Sequence, residues 1–189
     1  GVGFSVQRTH VDQLGPVIKP STEAKTYVIP DTIEGWADAL NVLLVSYGLY
    51  DEQLTQFADY LGKRVYFDYS LIRPKGSLIS SCNGKAPGPL PLRNALEKIR
   101  RLLTELTRNG QAKLRPIHAY DILMFASDAV LSGGVRRSAP LCLFDYDDRE
   151  MFEAKTGNWF QANPQRGRSN NSAVLLRSEI TYEQFYALF

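Results

Sequence analysis

Short β-rich runs alternate with stretches of helical period along the whole of this chain, and that alternation narrows its architecture more than any single motif. Phe4 to Val6 is β-rich and gives way to a connector punctuated by Gly15-Pro16 and Pro20-Ser21-Thr22. Behind Pro30, either Asp31 or Thr32 can cap a helix from about Thr32 to Tyr47, with Trp36, Leu40, Leu43 and Leu44 at helical spacing. A further helix is expected near Glu52 to Leu61, then an aromatic-rich strand from Arg64 to Ser70.

The second half repeats the alternation. Leu92, Leu96, Ile99, Leu103 and Leu106 recur at three- and four-residue steps and end before Asn109-Gly110, the most secure helix in the chain. A helix from about His118 to Leu131 is expected to bury Ile122, Leu123, Phe125 and Val130. Leu141 to Phe144 reads as a buried strand, Asp147 to Lys155 as a short helix, Ala173 to Leu176 as a strand and Thr181 to Phe189 as a helix. Alternation of this kind argues for parallel strands joined by helical crossovers, so the expected fold class is α/β. With 189 residues, one domain over 1–189 is the default.

Charge and cysteine usage then limit the partners. A formal net charge of +2 falls short of the basic footprint of a nucleic-acid-binding domain, so an anionic ligand must be held locally. The basic helix carrying Arg93, Lys98, Arg100 and Arg101 keeps a nucleic-acid reading in view, one that would show in salt-sensitive binding. Cys82 and Cys142 have neither CxxC spacing nor neighbouring His ligands. A zinc site and a disulfide scaffold are therefore not indicated, and a reducing cytoplasm is the expected setting. No apolar run reaches the roughly 18–20 residues that span a bilayer, so no membrane is expected.

Three segments carry chemistry suited to nucleotides. The stretch from Arg73 to Pro91 is broken by Pro74, Pro87, Pro89 and Pro91 and loosened by Gly76, Gly84 and Gly88. It sets cations, hydroxyls and amides just ahead of a helix N-terminus, where anions are favoured, although neither a Walker nor a dinucleotide fingerprint is present. Ser132 to Ala139 presents two glycines and two arginines at a chain reversal, open equally to a phosphate turn or to a glycine C-cap with solvated arginines. Asn163 to Ser172 has amides, hydroxyls and two guanidiniums, groups able to read a base edge and pair with phosphate, or simply to make a polar surface loop.

Elsewhere the bland reading is preferred. Cys142 falls in an apolar run and is assigned to the core, while Cys82 reads as an unremarkable free thiol. Asp145, Asp147, Asp148 and Glu150 sit at a strand-to-helix junction, where acids cap a helix more often than they hold a metal. No metal site is assigned. His10 and His118 belong to no nucleophile-base-acid arrangement.

Taken in order, several motifs resemble the monomeric, adenosylcobalamin-dependent (class II) ribonucleoside triphosphate reductases. They are Gly1-Val2-Gly3-Phe4-Ser5-Val6; Ile29-Pro30-Asp31 with Glu34-Gly35-Trp36; Asp68-Tyr69-Ser70 with Ile72-Arg73-Pro74-Lys75-Gly76-Ser77; Gly84 to Pro89; Ser132 to Ala139; and Ser169-Asn170-Asn171-Ser172-Ala173-Val174. The resemblance implies part of a ten-stranded α/β barrel, its first half, with effector-specificity loops near 73–91 and 157–172. In such an enzyme a bound deoxynucleotide effector chooses the ribonucleotide to be reduced. Carried over, Lys75, Gly84 and Lys85 fall beside the first loop, and Arg166, Arg168, Ser169, Asn170 and Asn171 fall in the second.

The resemblance further implies a thiyl-radical oxidoreductase making deoxyribonucleotides for DNA replication. Its cobalt cofactor would be adenosylcobalamin and its electrons would come from a thioredoxin-type reductant. The family's catalytic cysteines are not identifiable here, so no catalytic residue is assigned and the chain alone is expected to be inactive. Its opening reads as mid-strand, which points to a piece of something longer whose remaining half-barrel, on the same or another chain, would cover the exposed strand edges. The alternative is a non-catalytic nucleotide-binding or assembly module of the same ancestry.

Overall fold

The computed structural model describes residues 2–49, 55–79, 84–110, 112–131 and 139–188. Gly1, Glu52, Cys82, the turn Ser132 to Ser138 and Phe189, which enter the sequence reading, lie outside the described residues. The chain opens with β1 (Gly3–Ser5) and the single turn α1 (Arg8–Val11). β2 (Ala24–Val28), α2 (Ile33–Ser46) and β3 (Arg64–Asp68) then form a βαβ unit, because β2 and β3 pair in parallel from Ala24 opposite Arg64 to Val28 opposite Asp68. A two-stranded antiparallel ribbon follows, β4 (Leu78–Ile79) against β5 (Gly84–Lys85). After it come the long helices α3 (Leu90–Arg108) and α4 (Pro116–Leu131). The rest is β6 (Leu141–Asp145), α5 (Arg149–Phe152), α6 (Trp159–Ala162), β7 (Asn170–Val174) and α7 (Tyr182–Tyr186).

β6 lies at the centre of a parallel sheet between β1 and β7. The α/β expectation therefore holds as a mixed fold with parallel sheets. β1 and β6 are neighbours in space, yet the βαβ unit, the ribbon and both long helices intervene in sequence.

Local chemistry explains the principal helices. Thr32, not Asp31, caps α2: its hydroxyl accepts from the Gly35 amide at 2.9 Å. Gly35 itself is required, since a Cβ there would sit 2.5 Å from the Pro30 carbonyl oxygen. α3 turns Leu92, Leu96, Ile99, Leu103 and Leu106 inward as its period predicts, and each side chain fully buried contributes about 1.5–3 kcal/mol. It packs against α4, which buries Ile117, Tyr120, Ile122 and Met124.

Four expectations need correction. Leu123 and Val130 are exposed, because α4 turns Ile117, Tyr120, Ile122 and Met124 into the core instead. The described part of the 52–61 stretch is a 3-10 turn, Thr55–Tyr60, that seats Phe57 on Val42, Val45 and Val65. β2 was not anticipated: its residues alternate between exposed and half-buried, leaving no apolar run to mark them. The last strand begins at Asn170 rather than Ala173, because pairing with β6 extends over Asn170, Asn171 and Ser172.

Candidate functional site

The first candidate loop folds on itself. Its amides and carbonyls are tied by Gly76 N–H to the Ala86 carbonyl at 2.9 Å and by Ala86 N–H to the Ser77 carbonyl at 2.7 Å, continuing the ribbon of β4 and β5. Gly88, at φ +75°, lies so close to Lys75 that a Cβ would stand 2.9 Å from its backbone nitrogen. Arg73 anchors the loop's base by donating to the Asp31 carboxylate at 2.5 Å, which joins the Pro30-Asp31 turn to the Arg73-Pro74 turn. Gly84 and Lys85 are therefore strand residues of the ribbon, with Lys85 exposed.

The second candidate segment is built differently. Residues Pro164–Arg168 form a 3-10 turn laid against α4. Arg166 donates twice to Asp121, at 2.9 and 2.7 Å, and once to the Ala154 carbonyl at 3.0 Å, while Gln165 donates to the same carboxylate at 3.0 Å. Only 13% of the Arg166 side chain and 9% of the Asp121 side chain reach solvent. Burial pulls the guanidinium's pKa down, but hydrogen bonding to Asp121 and that residue's charge more than offset this, and the net shift is upward. Ser169 is also buried: its hydroxyl lies 2.8 Å from that of Tyr120 and donates to the Asn171 amide oxygen at 2.8 Å, and Lys155 donates to its carbonyl.

Arg168 has a separate environment two residues further on. Half-exposed, it donates to Asp128 at 2.6 Å and lines a hollow of about 340 Å³ with Lys98, Asn94, Phe125, Leu90 and Pro91. The end of the first loop and the second segment thus meet at the first turn of α3. Lys75, Gly84 and Lys85 do not line this hollow, and Arg166 is committed to Asp121.

Asn170 and Asn171 occupy opposite faces of β7. Asn171 pairs with Cys142, on the face covered by Tyr120 and the core; Asn170 pairs with the part-exposed Leu141, whose other neighbour is Gly3. Ser5, Leu143 and Ser172 continue that second face. Parallel sheets are normally covered on both sides, whereas here Gly3, Leu141 and Asn170 remain exposed.

The remaining candidates are structural. Cys142 is fully buried, and burial pushes its thiol up to about 12, so it stays protonated as a core residue. Asp148 caps α5 by accepting from the Met151 amide at 3.0 Å, and Asp145 holds the Arg8 amide at 2.8 Å. His118 is held down at about 4, first by burial and then by the charge of Arg115.

A larger groove, about 640 Å³, was missed from the sequence. It runs between β3 and α3 and contains Lys19, Arg64, Arg93, Arg100 and Arg108 against, among the described residues, the single carboxylate of Glu97. None of the eight candidate effector residues lines it. The spaced cations of α3 were visible in sequence, but nothing there indicated that Lys19 and Arg64 would face them.

The family model for the insertion domain of B12-dependent ribonucleotide reductases matches residues 5–103. The chain is 31% identical over 205 residues to the adenosylcobalamin-dependent ribonucleoside-triphosphate reductase of Lactobacillus delbrueckii subsp. bulgaricus, covering 93% of this chain and 26% of that protein. It is 31% identical over 161 residues to the probable enzyme of the same name from Dictyostelium discoideum, covering 84% of this chain and 19% of that one. A crystal structure of a B12-dependent (class II) ribonucleotide reductase superposes with a TM-score of 0.72 at 28% identity, over 93% of this chain and 27% of the other. The chain thus spans between a fifth and about a quarter of the length of these relatives.

Proposed function

The chain belongs to the B12-dependent ribonucleotide reductase family, and from that premise we propose that it contributes deoxynucleotide-effector recognition and a substrate-facing strand to a ribonucleoside-triphosphate reductase. The observation that carries this reading is the hollow at the start of α3. Leu90 and Pro91, at the end of the 73–91 loop, and Arg168, from the 157–172 segment, wall one small cavity beside Lys98. Arg168 and Lys98, two cations against the one carboxylate of Asp128, together with the Phe125 ring beside the first turns of α3, suit a phosphorylated ligand. Lys75, Gly84 and Lys85 belong to the same 73–91 loop and are proposed as effector residues with it, while Arg166 and Ser169 fix the segment that presents Arg168.

The exposed face of the β1–β6–β7 sheet supports the barrel part of the proposal. A parallel sheet with Gly3, Leu141 and Asn170 open to solvent calls for a second layer, which the remaining half of a ten-stranded barrel would provide. Asn170 and Ser172 would then face the lumen and the substrate. Thioredoxin-type reduction and the catalytic cysteines belong to that remainder, so the isolated chain turns over no ribonucleotide.

Adenosylcobalamin likewise belongs to the complete enzyme, where it supplies the radical. The described residues do not fit it. The hollow beside Arg168 is too small for a corrin, and the groove along β3 gathers five cations in an arrangement suited to anions.

Calorimetric titration with each of the four deoxynucleoside triphosphates tests the reading. Selective binding that Arg168→Ala weakens by about tenfold or more, on the scale of one charge-assisted contact, is the expected result. Equal, weak binding of all four, untouched by Arg168→Ala, would overturn it.

A further inference from the structure

The groove between β3 and α3 has the features of a docking site for an extended chain. On α3, Arg93, Glu97, Arg100, Thr104, Thr107 and Arg108 follow one another at three- and four-residue steps, apart from the adjacent last pair, forming a stripe about 22 Å long at the rise of an α-helix. Opposite lies β3, which together with Tyr69 just beyond its end extends about 17 Å at the rise of a strand. Walls of that length, one helical and one extended, offer room for an extended ligand.

The backbone of β3 is directed into this groove. Arg64 N–H bonds the Glu23 carbonyl and Ile29 N–H bonds the Asp68 carbonyl, so the even-numbered residues of β3 serve β2. Val65 and Phe67 must then turn their amides and carbonyls the other way. The Arg100 guanidinium accordingly donates to the Val65 carbonyl at 3.0 Å. Among the described residues no strand lies on that side of β3.

Electrostatics select the occupant. Lys19, Arg64, Arg93, Arg100 and Arg108 face one carboxylate, and among the described residues none of the five is in an ion pair. This concentrates positive charge in a chain whose net charge is only +2. A second copy of the chain added edge to edge is a poor partner, because it would bring the five groove cations of each copy together. A nucleic-acid strand would need several ring faces for its successive bases, but Arg100 lies over the ring of Phe67 at 5.7 Å and Arg93 over that of Tyr69 at 6.0 Å, which leaves Tyr66 as the exposed ring on this wall.

We infer that this groove binds an acidic, extended peptide segment of a partner protein, which adds to the free edge of β3 while its carboxylates meet Arg93, Arg100, Arg108, Arg64 and Lys19. Main-chain pairing would supply affinity and the cationic stripe would supply selectivity. The inference does not depend on the effector reading, since no residue is shared between the two sites.

A labelled decapeptide of alternating Glu and Val, followed by fluorescence anisotropy against the chain, tests it. Saturable binding is expected, reduced at least tenfold by the double variant Arg93→Glu/Arg108→Glu. Arg101→Glu, which makes the same change at an exposed position outside the groove, should leave binding intact. Methylating alternate backbone nitrogens of the peptide should abolish binding, because strand addition needs those donors. The inference is overturned if the decapeptide does not bind, if Arg101→Glu weakens it as much as the groove variant, if the N-methylated peptide binds equally well, or if a single-stranded oligonucleotide displaces it at lower concentration.

Discussion

The two loops meeting at the first turn of α3 have similar compositions and opposite constructions. The 157–172 segment is fastened to the body of the protein by a buried ion pair, Arg166 with Asp121, and by a hydroxyl network through Tyr120, Ser169 and Asn171. The 73–91 loop depends mainly on its own backbone, through β4, β5 and the close approach of Gly88 to Lys75, with Arg73–Asp31 as its mooring. Glycine, arginine and small polar residues are common to both. What separates them is whether a charged partner waits in the core, and the contrast is between a rigid support and a self-contained finger.

The contrast is most exposed at Arg166. Arg166→Ala would leave the Asp121 carboxylate buried with only Gln165 to satisfy it, and a loss of about 3–5 kcal/mol is expected in denaturant unfolding. If the loss is below about 1 kcal/mol, the second segment is no more firmly anchored than the first. Next comes Gly88→Ala, which places a side chain at φ +75° against the Lys75 backbone and should cost about 1–3 kcal/mol. Its damage should be local: hydrogen exchange should quicken at the Gly76 and Ala86 amides while those of β7 stay protected.

Smaller effects refine the picture. Tyr120→Phe removes the hydroxyl bonded to the Arg166 carbonyl and near Ser169, and a loss of about 1 kcal/mol in the same unfolding assay is expected. Arg168→Ala breaks only a part-exposed pair with Asp128 and should shift stability by less than about 1 kcal/mol. A larger shift would mean that Arg168 is part of the anchor rather than a side chain available to a ligand.

Legibility from sequence follows the same division. α3 was readable because its apolar residues keep helical period from Leu92 to Leu106, whereas the cap of α2 was readable only as a choice between Asp31 and Thr32 that the hydrogen bond to Gly35 decides. The role of Arg166 was not readable, since Asp121 is 45 residues distant and nothing local marks it as a partner. Asn170, Asn171 and Ser172 carry little strand propensity and become a strand because β6 offers them a ladder. The cationic groove escaped notice for a related reason: Lys19 and Arg64 reach α3 only once the βαβ unit has folded.

The separation of β1 from β6 also bears on how the protein is made. At a synthesis rate of about 5–20 residues per second, β1 emerges roughly 7–28 seconds before the strand it pairs with. During that interval the βαβ unit, whose contacts are local, can form on the nascent chain. β1 cannot pair, and it stays available to other strands until Leu141 to Asp145 leave the ribosome. A factor that shields Val2 to Val6 during translation should therefore raise the yield of folded protein more than one acting after release.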